Sequence, residues 1–323
     1  MNILIAGSVQ GDGSYEEAEL CLLLERELRA AGHMVDRFLL PYERNILSLP
    51  EQILAYSLLE IHSCDLLITV GYPACVLRHP NKVCYLLQME PMLAEYWDSP
   101  YGVLANLQYS NLLFSVQDSN RSALREAKSV FCCSQLLAED IQKTYEIQCR
   151  ILLYPALEDT GGNDAEQVDV LCESSLLPWQ RPELLLELFS APKTREKRRA
   201  KLFVPNAHLI YREQIERLIA RNGLSDCVML VERRATETDV RNAEAVFIPD
   251  FRSRRIPNIA LEAISCGKPV LCMGDAGAVA SLVPAKNQVE EAALPGILIR
   301  MTALSAAADK LPNADTFAKE LIG

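Results

Sequence analysis

Between Asp250 and Glu262 the chain gathers residues able to hold an anion: Asp250, then Arg252, Arg254 and Arg255, then Ile256, Pro257, Asn258 and Glu262. Arginine is permanently charged and presents its donors in a rigid fork that matches phosphate and carboxylate. Pro257 suits the first turn of a helix. Within that helix Asn258, Leu261 and Glu262 share one face, because positions three and four apart are neighbours. An arginine-bearing loop that feeds a helix N-terminus is a place for an anionic ligand.

Two other places invite a chemical reading. Residues 7–14 form a loop of small residues in which Gly11 and Gly13 begin a G-x-G-x-x-G pattern, but the third glycine falls at Glu16, so the dinucleotide fingerprint fails. The loop remains either a tight strand-to-helix turn or a backbone cradle for a phosphate or an acceptor. Arg233, with Arg234, follows an apolar run and falls on the strand edge where α/β sheets bind ligands. The eleven cysteines are scattered and form no C-x-x-C pair, so buried reduced thiols are expected and no metal site.

Those residues need elements to position them. Apolar runs at 246–249 and 270–273 read as buried parallel strands on either side of the helix, which Gly267 ends. Earlier in the chain, runs at 2–6, 35–39, 65–70, 83–87 and 129–133 alternate with helical patterns at 15–31, at 50–63 and after Ser134, a helix cap. Residues 158–165 are polar and turn-forming, a linker. Beyond them strands at 168–172, 201–204 and 227–231 alternate with helices at 211–222 and 235–242. A short helix at 278–283 and an amphipathic helix at 316–322, capped by Asp315, complete the pattern. Strands alternating with helices on both sides of a linker imply an α/β fold with two doubly wound parallel sheets.

Composition narrows the setting. At 323 residues, half of them hydrophobic, the chain can build two substantial cores. No apolar run approaches the roughly 20 residues that span a bilayer. The opening Met1-Asn-Ile-Leu-Ile-Ala-Gly7 reads as a strand and not a signal peptide, so a cytoplasmic location is expected. A net charge of −11 argues against a nucleic-acid partner while allowing a local basic pocket.

The stretch Ile256-Pro257-Asn258, Leu261-Glu262-Ala263, Cys266-Gly267 and Pro269-Val270 resembles the donor-site signature of family 4 retaining glycosyltransferases, E-G-F-P-N-x-x-L-E-A-M-A-x-G-x-P-V. Gly32-His33-x-Val35, Asn81–Gln88 and residues 118–157 extend the likeness. The resemblance implies the GT-B architecture, two Rossmann-like domains with parallel sheets facing a cleft. It places an acceptor-side domain at 1–157, a nucleotide-sugar domain at 166–300, and a tail at 301–323 that crosses back onto the first domain. It implies a nucleoside-diphosphate sugar (UDP-, GDP- or another) as donor, no required cofactor, and an unknown acceptor.

In that family two glutamates eight positions apart hold the donor sugar and the ribose; Glu262 is the second, and Arg254 stands at the first. The family's diphosphate clamp falls on Ser175 and Gln180, with Arg181 adjacent as either a phosphate ligand or a solvent-facing residue. Arg233 falls in the loop beside the nucleobase. The run Gln88-Met-Glu-Pro91 lacks the histidine and arginine of one subgroup, leaving Glu90 as a catalytic carboxylate or a solvated loop residue. Catalytic roles are therefore expected at Glu90 and Arg254, and donor binding at Gly11, Gly13, Arg181, Arg233, Ile256, Pro257, Asn258 and Glu262. The readings left open are an active transferase, with Arg181, Arg252, Arg254 or Arg255 replacing the clamp; a transferase-like subunit that stabilises a partner protein; or another α/β enzyme of an anionic substrate. Homo-oligomerisation also stays open.

Overall fold

A computed structural model describes every residue except 11–15, 44, 46, 63, 91–98, 100–109, 158–165, 192–197, 206–208, 299–303 and 308–310. It divides into two compact units, Met1–Leu157 with Pro312–Gly323, and Glu158–Leu311.

The first unit is built on β1 (Asn2–Gln10), β2 (Met34–Tyr42), β3 (Leu66–Val70), β4 (Lys82–Leu86), β5 (Ser129–Cys132) and β6 (Arg150–Ile151). Its helices include α1 (Glu16–Ala30), α2 (Leu49–Ser57), α3 (Ser110–Arg125) and α4 (Gln135–Tyr145). The strands form one parallel sheet ordered β2-β1-β3-β4-β5-β6. Every residue of β3 and β4 is buried, as expected of parallel strands covered on both faces. Glycine at position 7 lets α1 lie close on β1, because a Cβ there would stand 2.5 Å from Cys21 Sγ.

Several expectations need correction here. Strand β1 continues past Gly7 through Gln10, because Ser8, Val9 and Gln10 stay in register with Leu40, Pro41 and Tyr42. Helix α2 stops at Ser57, short of residue 63. Helix α3 lies outside the helical patterns of the sequence, since its serines and asparagines are weak helix formers. Tertiary contacts hold it instead: the buried Lys82 Nζ donates to Ala123 O (2.9 Å) on α3, and also to Cys75 O (3.0 Å) and Leu77 O (2.8 Å). The Ser134 cap is as expected, accepting from Leu137 N at 3.1 Å.

The second unit contains β7 (Val168–Glu173), β8 (Ala200–Phe203), β9 (Val228–Val231), β10 (Ala243–Ile248), β11 (Val270–Met273) and β12 (Gln288–Val289). Between them run α5 (Glu183–Glu187), α6 (Leu209–Arg221), α7 (Glu237–Asn242) and α8 (Asn258–Ser265), and α9 (Leu294–Ile297) follows β12. The parallel sheet has the order β12-β11-β10-β7-β8-β9. Residues 278–281 form a short 3₁₀ turn rather than the helix expected to 283.

Helix α10 (Ala314–Ile322) belongs to the first unit, packing on α1 and β4. Its fully buried Phe317 meets Tyr85 edge-on, with ring centroids 5.0 Å apart, and Tyr85 Oη donates to Leu152 O at 2.8 Å. The N-cap is Asn313, whose side chain accepts from Thr316 N at 2.7 Å; Asp315 instead pairs with Lys319 one turn on.

Candidate functional site

Numbered by position in the chain, the strands of the second sheet lie in the order 6-5-4-1-2-3, so the connection changes direction between β7 and β10. Doubly wound sheets bind ligands outside the carboxyl ends of the strands at such a switch point. Ser174 leaves β7 there, and Pro249 and Asp250 leave β10.

Backbone bonds hold the loop after β10 in place. Phe251 N donates to Trp179 O, Arg252 N to Asp275 O and Ala278 N to Ser253 O, each at 2.7 Å. Gly277 has φ +82°, and a Cβ on it would fall 2.2 Å from Ser253 O, so only glycine lets the turn after β11 meet this loop. Arg181 completes the joint. Its Nε donates to Pro249 O (2.8 Å), its Nη2 to Asp250 O (3.0 Å), and Nη1 and Nη2 form a fork onto Asp275 at 3.0 and 2.6 Å. The Phe251 ring lies near two guanidinium groups, Arg181 at 5.2 Å and Arg252 at 5.0 Å. Arg181 is buried, so the solvent-facing reading is wrong.

Asp250 is buried beneath this joint. Burial pushes its carboxyl up to about 7 from an ordinary value near 3.8, although Arg181 and a bond from its own backbone pull the other way. The group therefore changes charge near neutrality.

The loop delivers the chain to α8. Ile256 is buried, and Pro257 takes the N-cap position with no side-chain cap, one residue earlier than expected. Every residue from Asn258 to Ile264 is buried. Asn258 Nδ2 donates to Glu262 Oε1 at 2.7 Å, the pairing that their spacing predicts. The loop's three arginines stay closer to solvent: Arg252 is exposed, Arg254 and Arg255 half-buried, and Arg254 Nη1 donates to Arg252 O at 2.6 Å.

Arg233 follows β9 on the same sheet edge. It lies over the Phe203 ring at 5.0 Å and makes a fork onto Asp239 at 2.6 and 3.0 Å. Burial would raise the Asp239 carboxyl, but bonds from Arg233 and from the Thr236 backbone and hydroxyl outweigh it and hold the carboxyl below its usual value. A bond from Ala235 N to Glu173 Oε2 (2.7 Å) ties this loop to the end of β7.

In the first unit Glu90 is buried and accepts from Tyr42 Oη, which excludes the solvated-loop reading. Gly11 and Gly13 lie outside the described residues, as does the linker 158–165. At the clamp positions Gln180 Oε1 accepts from Leu177 N (3.3 Å) and Ser174 Oγ (3.2 Å), folding its side chain into the local turn. Neither Asp275 nor Phe251 stands out in the sequence as a site residue. The only hint was Gly274-Asp-Ala-Gly277, an acid between glycines after a strand, but nothing in the sequence ties it to Arg181, 94 positions away.

Among the described residues no cluster of histidine, cysteine and acidic groups could hold a metal, and no helix is long and apolar enough to cross a membrane. No protein-family model matches the chain, and no curated protein matches it in sequence. Solved structures do match. One is Anabaena HepE in complex with UDP and glucose, at 20% identity over 99% of this chain and 95% of that one, with a TM-score of 0.65. Another is WaaG, a glycosyltransferase involved in lipopolysaccharide biosynthesis, at 14% identity, 99% and 94% coverage and a TM-score of 0.65. A third is an α-glucosyltransferase in complex with UDP-glucose and DNA, at 11% identity, 99% and 94% coverage and a TM-score of 0.54. The fold is therefore the GT-B fold of glycosyltransferases, with two parallel α/β sheets.

Proposed function

We propose that the chain is a family 4-like glycosyltransferase that passes a sugar from a nucleoside-diphosphate sugar to an acceptor with retention. The observation that carries this reading is the buried Asn258–Glu262 pair on the first turn of α8, directly after an arginine-bearing loop pinned at the β7/β10 switch point. The fold likeness to HepE with UDP and glucose, and to WaaG, supports it.

In this reading Glu262 accepts hydrogen bonds from ribose hydroxyls, and Asn258 orients it. Ile256 and Pro257 bring the backbone up to the ligand. The uncapped N-terminus of α8 and the charges of Arg252, Arg254 and Arg255 face the diphosphate and neutralise the charge that grows as it leaves. Arg254 acts on the departing group, Arg233 holds the loop beside the base, and Arg181 braces the arginine loop. Glu90 is a catalytic carboxylate, and Gly11 and Gly13 take part in donor binding.

A second reading has its own observation. Gln180 and Arg181 are both engaged by protein partners at the clamp. That favours a subunit that binds nucleotide without transfer and stabilises another protein.

Calorimetric titration with UDP, GDP and ADP tests the shared part. One nucleotide should bind, and Glu262→Ala should weaken it roughly 10- to 150-fold, the loss of about 1.5–3 kcal/mol for a hydrogen bond to a charged group. Unchanged affinity in a folded variant removes Glu262 from the site. Donor turnover by the purified chain, lost in Arg254→Ala, decides for the transferase; binding without turnover of any common donor decides for the subunit.

A further inference from the structure

The first unit carries an apolar surface that the donor site does not use. Leu54 on α2 and Leu58 at its C-cap are 59% and 68% exposed, and Leu59, the next residue, is exposed as well. Scattered exposed leucines need no account, but several gathered on one face mark an interaction surface.

Between α2 and α3 runs a groove. Two cavities of about 460 and 540 Å³ share Ser57, Arg78 and Glu126 and so adjoin along it. Its floor is apolar, with Ile53, Val76 and Val116. Its α3 wall is Ser115, Ser119 and Ser122, spaced so that they share a helical face. Small side chains there let another helix axis approach α3 closely, while Leu54 lines the same cavity and Leu58 the adjoining one. Three acids, Glu60, Asp118 and Glu126, line the groove with one arginine, Arg78, and two histidines, His62 and His79; Asp118 also pairs with Arg121 at 3.6 Å and Glu60 with His62 at 3.1 Å, which leaves a small acidic excess.

We propose that this groove receives an amphipathic helix of a partner protein, apolar on one face and flanked by lysine or arginine. The serine seam and the leucines fit a helix laid in a groove, read by anchors at i, i+3, i+4 and i+7. The acidic rim selects a basic occupant. A second copy of this face would set acid against acid, and an anionic lipid surface would be repelled, also by the chain's net charge of −11.

The test is fluorescence anisotropy of the full chain with a labelled synthetic helix, leucines at i, i+3, i+4 and i+7 and lysines on the flanks. Its twin has glutamate for each lysine. Saturable binding of the lysine helix is expected, weakening with added salt. The glutamate twin should bind at least roughly tenfold more weakly. Ser119→Trp fills the seam while adding apolar surface, so it should also weaken binding roughly tenfold or more if the helix is seated there. Leu58→Ser, an exposed change with little effect on folding, is the second variant and should act in the same direction. Both variants should keep the wild-type melting curve and nucleotide affinity.

Equal binding of the two helices, or full binding to both variants, overturns the proposal. So does a concentration-dependent dimer in sedimentation that Leu58→Ser dissolves, which makes the occupant a second copy. Flotation with phosphatidylcholine–phosphatidylglycerol vesicles that Leu58→Ser abolishes overturns it in favour of lipid.

Discussion

At Asp250 burial and charge oppose each other. Its folded carboxyl titrates at about 7, well above the ordinary 3.8, so between those values the folded chain holds a proton that the unfolded chain has released. Stability from this group is complete below pH 4 and is lost as pH rises toward 7. Asp250→Asn should remove that slope. Denaturant melts from pH 4.5 to 8 should show wild type losing stability relative to the variant; parallel curves would mean that Asp250 ionises normally. Asp239 has the opposite sign, its depressed carboxyl contributing stability that is present above the usual carboxylate value and lost as pH falls from there through its own lower one. At this scale the sequence was legible where partners are close: Asn258 and Glu262 are four positions apart. The Arg181–Asp275 fork was not, because its two ends come from different strand termini.

At the scale of elements, the alternation of strand and helix was readable because parallel strands buried on both faces leave continuous apolar runs, as in Leu66–Val70. What resisted reading was whatever tertiary contacts decide. Polar α3 is held by Lys82 and its neighbours, and β1 outruns its apolar core because β2 keeps pairing with it. The joint between the loop after β10 and the turn after β11 is likewise invisible in sequence, yet it fixes where the arginines stand. Gly277→Ala tests it. The new methyl meets backbone and the left-handed φ disfavours alanine, so a loss of roughly 1–3 kcal/mol in stability is expected. Nucleotide affinity should fall as well. A variant that melts like wild type and binds nucleotide equally would mean that the two loops are not coupled.

For the molecule as a whole, the first unit is completed by residues that follow the second. Phe317 is fully buried against Tyr85, so Phe317→Ala should cost about 3–5 kcal/mol in the first unit. Nucleotide binding, a property of the second unit in our reading, should survive; calorimetric unfolding followed by titration with nucleotide reads both. Simultaneous loss of both would show that the units do not fold independently. The return of α10 also has a consequence during synthesis. Residues 158–311 leave the ribosome before α10 does. At roughly 5–20 residues per second this leaves the nascent first unit without its last helix for on the order of 10–30 s. For that interval the flank of α1 and β4 is bare and open to a chaperone.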